Sequence, residues 1–303
     1  MSKGPERASL TPRGRFSLKA AAEFGFGPNA GRPPGFDGAM RLAFAVDGGH
    51  GYAGVILRQP TADTAVSVEL HTREGADPQR ALGQAARIVS LDHDGDTFAA
   101  LGKRDRVLGA IQDAHPGQRP VLFHSPYEGA AWSIISARRP AAQAAEVRAA
   151  LSSELGATFE LAGQTLHAFP QADRLLELPP DHEGLSPEKV ARLRGVARAA
   201  LEGELEPEHL HALGPERAYE EVQRLKGLGP FYAGLVVLRA SGFADAPLMS
   251  PEPKVLAHVA RFYGLDQPPT LERFGTIAES WRPFRTWATV LVRLAGDRGT
   301  PPP

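Results

Sequence analysis

Apolar and polar positions alternate with period two over three stretches early in the chain: Met40-Arg-Leu-Ala-Phe-Ala-Val46, Tyr52-Ala-Gly-Val-Ile-Leu-Arg58 and Ala65-Val-Ser-Val-Glu-Leu-His71. Period two with β-branched residues predicts three antiparallel strands, the first two joined across Gly-rich Asp47–Gly51. From Pro78 to Ile88 the spacing turns helical. The first third is therefore expected to be an α+β N-terminal domain, a small antiparallel sheet with helices, over 16–116.

From about residue 94 the pattern is helix after helix. Ser125-Pro-Tyr-Glu128 spells a capping box with Pro at the first helical position, followed by apolar Ala130, Trp132, Ile134 and Ile135. Ser186-Pro-Glu188 opens another helix, with Val190, Leu193, Val196 and Ala197 on one face. Further helices are expected over 214–226, 230–241, 251–263, 270–281 and 283–295, and 157–169 reads as a hairpin or an irregular crossover. No repeat of solenoid length is visible. Gly117-Gln-Arg-Pro120 interrupts the pattern and marks the start of a mostly α-helical domain over 117–297, although a helix at 94–115 fits either side. Residues 1–15 and 298–303, polar or Pro-rich and without period, are expected as disordered tails.

Composition narrows the chemistry. The 303 residues, 42% of them hydrophobic, suffice for two domains at roughly 150 residues each. The absence of cysteine excludes disulfides, thiol nucleophiles, cysteine zinc sites and iron–sulfur clusters, and suits a reducing cytosol. No apolar run approaches the roughly 20 residues that span a bilayer. The basic N-terminus has no apolar stretch behind it, so it does not read as a secretory signal, and a cytoplasmic location is expected. A net charge of −1 argues mildly against a polyanionic partner. Basic residues nevertheless gather at Arg138–Arg139 and at Arg282, Arg285 and Arg293, while acidic ones crowd 202–208 and 216–221. The decision falls to motifs.

The most informative stretch is Leu225-Lys-Gly-Leu-Gly-Pro-Phe-Tyr-Ala233. An amphipathic helix ends at Lys226, Gly227-Leu228-Gly229 makes a turn, and a new helix starts at Pro230. Two glycines around one buried aliphatic residue permit a tight turn and a close approach to the backbone. Amides at the start of the second helix then face outward as a phosphate site, the helix-hairpin-helix device for gripping one DNA strand without reading its sequence. The other reading is a Schellman-type cap between two packed helices.

Around this turn stand further motifs in a definite order: Arg119-Pro-Val-Leu-Phe-His-Ser-Pro-Tyr-Glu-Gly-Ala-Ala-Trp132, Thr165-Leu-His-Ala-Phe-Pro170, Ser250-Pro-Glu-Pro-Lys-Val255 and Trp281-Arg-Pro-Phe-Arg285 with Trp287. Their order and spacing resemble the 3-methyladenine DNA glycosylase II family of the helix-hairpin-helix superfamily, closely over 120–297 and loosely over 16–115. The resemblance implies a monofunctional, metal-free base-excision N-glycosylase of alkylated purines flipped out of duplex DNA, working as a monomer near the nucleoid. It implies no required cofactor, with a monovalent cation at the hairpin as the one ion it admits. On it, Glu252 takes the position of the catalytic carboxylate, and Phe231, Tyr232, Trp281 and Trp132 are candidates for the base pocket. Lys226, Gly227, Leu228, Gly229, Arg138, Arg139, Arg282 and Arg285 are candidates for DNA contact.

Several departures keep other readings open. The family carboxylate is Asp, and Glu is longer by about 1.5 Å, where a misplacement of about 1 Å can cost roughly 10²-fold. Glu252 near the start of a helix capped by Ser250, with Pro251 first, is also stabilised by the helix dipole without any chemistry. Asp245 is a distant second carboxylate. Ser136-Ala-Arg-Arg-Pro140 stands where relatives carry a Gln-containing wedge segment; Arg138 falls near the wedge position or is solvated charge at a helix end. Phe231 stands where bifunctional relatives place a Schiff-base lysine, so no lyase activity is expected. No histidine spacing suggests a metal site, and His124 is a candidate for the DNA groove. A DNA-binding relative without catalysis, a glycosylase for another lesion and a helical scaffold remain as alternatives.

Overall fold

The computed structural model describes residues 4–25, 27 and 35–303. Four strands, β1 (Glu6–Leu10), β2 (Met40–Ala45), β3 (Tyr52–Arg58) and β4 (Val66–Arg73), form an antiparallel sheet in the order β1-β4-β3-β2. The three expected strands are thus joined by a fourth. The tail expected over 1–15 is corrected from residue 4 on: Ala8 lies opposite Val68 at the sheet edge, and residues 1–3 lie outside the described residues. Five residues with two apolar side chains, Ala8 and Leu10, are too few to show a period.

Alternation sends the two faces of the sheet to different partners. Leu42 and Phe44 of β2, Val55 and Leu57 of β3 and Val68 of β4 share a core with Leu18 of α1 (Leu18–Ala22) and Ala81, Ala85 and Ile88 of α2 (Pro78–Ile88). On the opposite face Ala43, Tyr52 and Ile56 meet Phe159 and Leu161. Those two come from β5 (Thr158–Leu161), which pairs with β6 (Gln164–His167), so 157–169 is a hairpin. Gly54 of β3 is what lets that hairpin lie down: a Cβ there would stand 2.5 Å from the Phe159 ring.

The helical body comprises α3 (Gly95–Ala100), α4 (Arg106–Ala114), α5 (Pro126–Ser136), α6 (Ala141–Leu155), α7 (Ala172–Leu176), α8 (Pro187–Leu201), α9 (Pro207–Leu213), α10 (Pro215–Gln223), α11 (Pro230–Arg239), α12 (Pro253–Tyr263), α13 (Leu271–Ala278) and α14 (Arg285–Asp297). The capping box at Ser125 forms as read, with Ser125 Oγ accepting the Glu128 amide at 3.0 Å. α5 packs on α8 and α11 through Ala130, Ile134, Leu193, Val196 and Val237. The stretch 94–115, left on either side of the boundary by its pattern, packs with the C-terminal helices: Phe98, Leu108 and Ile111 share a core with Val255, Trp281 and Leu291. The expected tail at 298–303 is also corrected, because Thr300 folds back to hydrogen-bond Ala295 O at 2.9 Å and His115 Nε2 at 2.8 Å.

Arg119 ties these layers together. Only 2% exposed, it donates to Arg15 O at 3.1 Å and Ser90 O at 3.0 Å, and lies over the rings of Phe16 and Trp287 at 5.6 and 5.5 Å. Burial pulls its pKa down to about 10, which leaves it charged at neutral pH. Among the described residues no helix is long and apolar enough to cross a membrane.

Two glycines test the packing. Gly54→Ala is expected to lower unfolding stability by roughly 1–3 kcal/mol through overpacking against Phe159. Gly83→Ala, in mid-α2 with open space at its Cβ, is expected to raise it by about 0.5–1 kcal/mol. Denaturant midpoints of both variants check the pair.

Candidate active site

The hairpin turn is open on one side and anchored on the other. Leu228 is 1% exposed in the central core, while Lys226, Gly229 and Pro230 are exposed. Gly227 has φ +99°, a conformation L side chains rarely adopt, and its Cβ would fall 2.8 Å from Arg192 and 2.9 Å from Ile134. Gly229 is the N-cap of α11 and offers no side chain to cap it, so the first-turn amides of Phe231 and Tyr232 have no helical acceptor. The turn is thus open and not a sealed Schellman cap, and among the described residues these two amides are unpaired.

The end of α5 borders this turn, since Ile134 contacts the Gly227 position. Lys189 Nζ closes the carbonyl end of α5, donating to Ile135 O and Ala137 O at 2.8 Å each. Beyond it Arg138 is exposed with φ +54°, and its guanidinium makes no bond among the described residues. A non-glycine residue held in the left-handed region with a free, projecting charge suits a wedge or a DNA contact. Arg139 does not: its Nη2 donates to Gly184 O at 2.7 Å, so it fastens the loop before α8.

Glu252 is placed differently from expectation. Pro253 takes the first helical position of α12, and the residue before a proline is driven to extended backbone, here φ −115° and ψ 100°. Glu252 is therefore itself the N-cap; Ser250 and Pro251 precede the helix. Its Oε2 accepts the Val255 amide at 2.6 Å and faces Arg293 Nε at 3.3 Å. Both contacts fall on Oε2, and Oε1 takes none among the described residues.

The carboxylate opens into a cavity of about 190 Å³, below the ~300 Å³ at which drug-sized pockets begin and suited to a single base. Leu235 and Leu238 of α11, Leu248, Val255 and Val290 form its apolar wall, and Glu252, Arg239 and Arg293 supply charge. Phe231 stands at the rim, 47% exposed, with Tyr232 half-buried edge-on to it at 5.3 Å. Gly234 keeps α11 close: a Cβ there would come within 3.1 Å of Ser250 Oγ.

Other expected site residues lie elsewhere. Trp281 is 0% exposed, and its Nε1 donates to Asp105 Oδ2 at 3.0 Å. The short 3-10 turn Glu279–Trp281 points the indole inward onto α4, whose docking the pattern left open. Trp132, 7% exposed, belongs to the central core. Arg285 is held by Asp245 through Nε at 2.8 Å and its backbone amide at 3.0 Å, so neither is available to a ligand. Arg282 stays half exposed but is paired with Glu279 at 2.8 Å and Asp245 at 3.3 Å. His124 faces Glu128 at 2.9 Å and the Phe44 ring at 5.7 Å, and does not line the Glu252 cavity. Arg239 and the cavity-facing role of Arg293 were missed; an arginine closing the apolar run 231–238 was the available signal for the former.

A second cavity, about 390 Å³ between the sheet and α5, shares no lining residue with the first. Its carboxylate is fully engaged: burial would raise Glu128, but Arg148 and His124 overcome this and hold its pKa at about 2. Among the described residues no cluster of three or more His, Cys, Asp or Glu is placed to hold a metal.

No protein-family model matches the chain. The fold is that of helix-hairpin-helix DNA glycosylases: a 3-methyladenine DNA-glycosylase from Archaeoglobus fulgidus superposes with TM-score 0.75 at 21% identity, over 97% of this chain and 99% of that one. An 8-oxoguanine glycosylase/lyase from Clostridium acetobutylicum, in complex with duplex DNA, superposes with TM-score 0.64 at 18% identity over 98% and 99%. In sequence the chain resembles the DNA-3-methyladenine glycosylase of Bacillus subtilis, 24% identical over 202 residues, 66% of each protein. The matches span between 49% and 66% of the curated relatives' own length.

Asp105 tests the buried support of the C-terminal helices. Burial pushes its carboxyl up, yet donors from Tyr263, the Leu108 amide, Ser280 and Trp281 outweigh this and leave the pKa lowered. A depressed carboxylate stabilises fully above its unfolded pKa and loses that contribution as pH falls through the folded value. Asp105→Ala is expected to cost roughly 3 kcal/mol at neutral pH and to flatten the acid side of the stability profile below about pH 4, read by thermal melts across pH.

Proposed function

We propose that the chain is a monofunctional DNA base-excision N-glycosylase that removes alkylated purines from duplex DNA. One observation carries this reading: Phe231, two residues past the hairpin glycine Gly229, lines the same cavity as the Glu252 carboxylate. A phosphate seated on the hairpin amides is therefore one helical turn from a base-sized pocket with an acid in it.

The steps follow from the residues. The amides of Gly229, Phe231 and Tyr232 hold a backbone phosphate, with Lys226 beside them. Arg138 enters the space left by the extruded nucleotide. The base passes Phe231, stacking on its exposed face, and lies along Leu235 and Val290. As the C1′–N9 bond stretches, Glu252 Oε1 stabilises the oxocarbenium sugar and orients the attacking water. Oε2 cannot wander, being tied to the Val255 amide. No lysine lines the cavity among the described residues, so hydrolysis and not Schiff-base chemistry is expected, and neither step calls for a metal or cofactor.

Purified protein is expected to release free base from alkylated duplex DNA, and Glu252→Gln to slow release by on the order of 10²–10³-fold while duplex binding persists. Borohydride should trap no protein–DNA adduct. Background release by both proteins would leave only DNA binding.

The hairpin gives an independent test. The Gly229 Cβ meets nothing in the protein and its φ is −70°. Gly229→Ala is thus expected to leave the melting temperature unchanged and weaken every duplex alike, with a shallower salt dependence. Unaltered affinity would remove the phosphate from this turn.

A further inference from the structure

The cavity beside Glu252 carries two guanidiniums against one carboxylate. Arg239 arrives from the last turn of α11 and Arg293 from α14. Burial draws the pKa of Arg239 down to about 9, with nearby Arg293 pushing the same way, so Arg239 remains a cation at neutral pH. Arg239 donates through Nη2 to Val121 O at 2.8 Å and lies over the Phe24 ring at 5.1 Å. Arg293 holds Glu252 through Nε, and its Nη1 pairs with Asp297, which lies outside the cavity lining. Its Nη2 takes no bond among the described residues.

This arrangement bears on the charge of the base. A purine methylated at N3 or N7 is a cation in DNA; it leaves readily but is repelled by guanidiniums in a site of low dielectric. An uncharged adduct is the opposite case. It tolerates the cations, but when C1′–N9 breaks the electron pair stays on the base, which leaves as an anion unless donors receive the charge. A guanidinium aimed at its ring nitrogens supplies those donors.

We infer that Arg293 is a specificity residue that turns the pocket toward alkylated purines that are uncharged in DNA and carry acceptor nitrogens, and away from ring-methylated cations. The inference rests on the glycosylase reading above. In the step itself, C1′–N9 breaks with its pair on the base, and Arg293 Nη2 donates a hydrogen bond to the developing anion. The oxygen of water bonds to C1′, Glu252 accepts the water proton, and the base takes a proton from solvent as it leaves.

Two duplexes differing only in the lesion decide it: 1,N6-ethenoadenine, an uncharged alkylated purine, and 7-methylguanine, a cation. Single-turnover release is divided by the spontaneous rate of each lesion. The wild-type enhancement is expected to be at least about tenfold greater on the ethenoadenine duplex. Arg293→Met should abolish that preference by slowing ethenoadenine release and sparing or raising 7-methylguanine release. Arg293→Lys, which keeps the charge without the planar fork, should slow ethenoadenine release and still disfavour the cation. An equal or larger wild-type enhancement on 7-methylguanine overturns the inference and leaves the glycosylase reading intact. So does a parallel loss on both lesions in Arg293→Met and Arg293→Lys, which would reduce Arg293 to a support for Glu252. Release of neither lesion overturns both.

Discussion

The close packing of α11 against the segment before α12 is the constraint on which the site depends. α11 is the second helix of the hairpin and also one wall of the cavity, so whatever the hairpin holds is positioned relative to Glu252 through this single element. Gly234 eases the approach, because a Cβ there would come within 3.1 Å of Ser250 Oγ. The N-cap bond from the Val255 amide then fixes the carboxylate at the cavity wall. A hairpin alone would grip a strand, and a capped acid alone would stabilise a helix. On the glycosylase reading, their connection through α11 brings an extruded nucleotide within reach of the acid.

The polar groups buried elsewhere do a different job. Arg119 collects backbone carbonyls from the N-terminal segment and the loop after α2, Asp105 collects donors from α4, α12 and the turn before α14, and Asp245 clamps Arg285. Each is satisfied within the protein and has no capacity left for a ligand. The cavity differs in its Glu252, Arg293 and Phe231. Among the described residues Glu252 keeps Oε1 free and Arg293 keeps Nη2 free, and Phe231 keeps nearly half its surface.

Much of this was legible in the sequence, for identifiable reasons. Apolar, β-branched runs bounded by a Gly-rich turn placed β2 to β4, although β3 is buried on both faces and does not alternate, and Ser125-Pro126 placed α5 because a cap and a proline act within one turn. Gly227 and Gly229 were readable for the same local reason. What failed was register in three dimensions. Trp281 sits in a motif resembling that of a base-pocket residue, but its orientation depends on α4 lying beneath it, and nothing near residue 281 encodes that. Arg285 reads as a DNA contact from its motif, but Asp245, 40 positions away, holds it within the protein. The N-cap moved from Ser250 to Glu252 because Pro253 outranks Pro251 as the first helical residue, a choice two competing signals left undecided. Arg293 acquires meaning only beside Glu252, 41 positions away in the chain.

The most direct measurement is a structure of the protein bound to a duplex that carries a pyrrolidine abasic nucleotide, a cationic mimic of the oxocarbenium sugar. A phosphate should lie within hydrogen-bond distance, about 3 Å, of the Gly229 or Phe231 amide, with the pyrrolidine nitrogen against Glu252 Oε1. Binding with the phosphate away from that turn, or with the pyrrolidine outside the cavity that Phe231 and Glu252 share, would contradict the account.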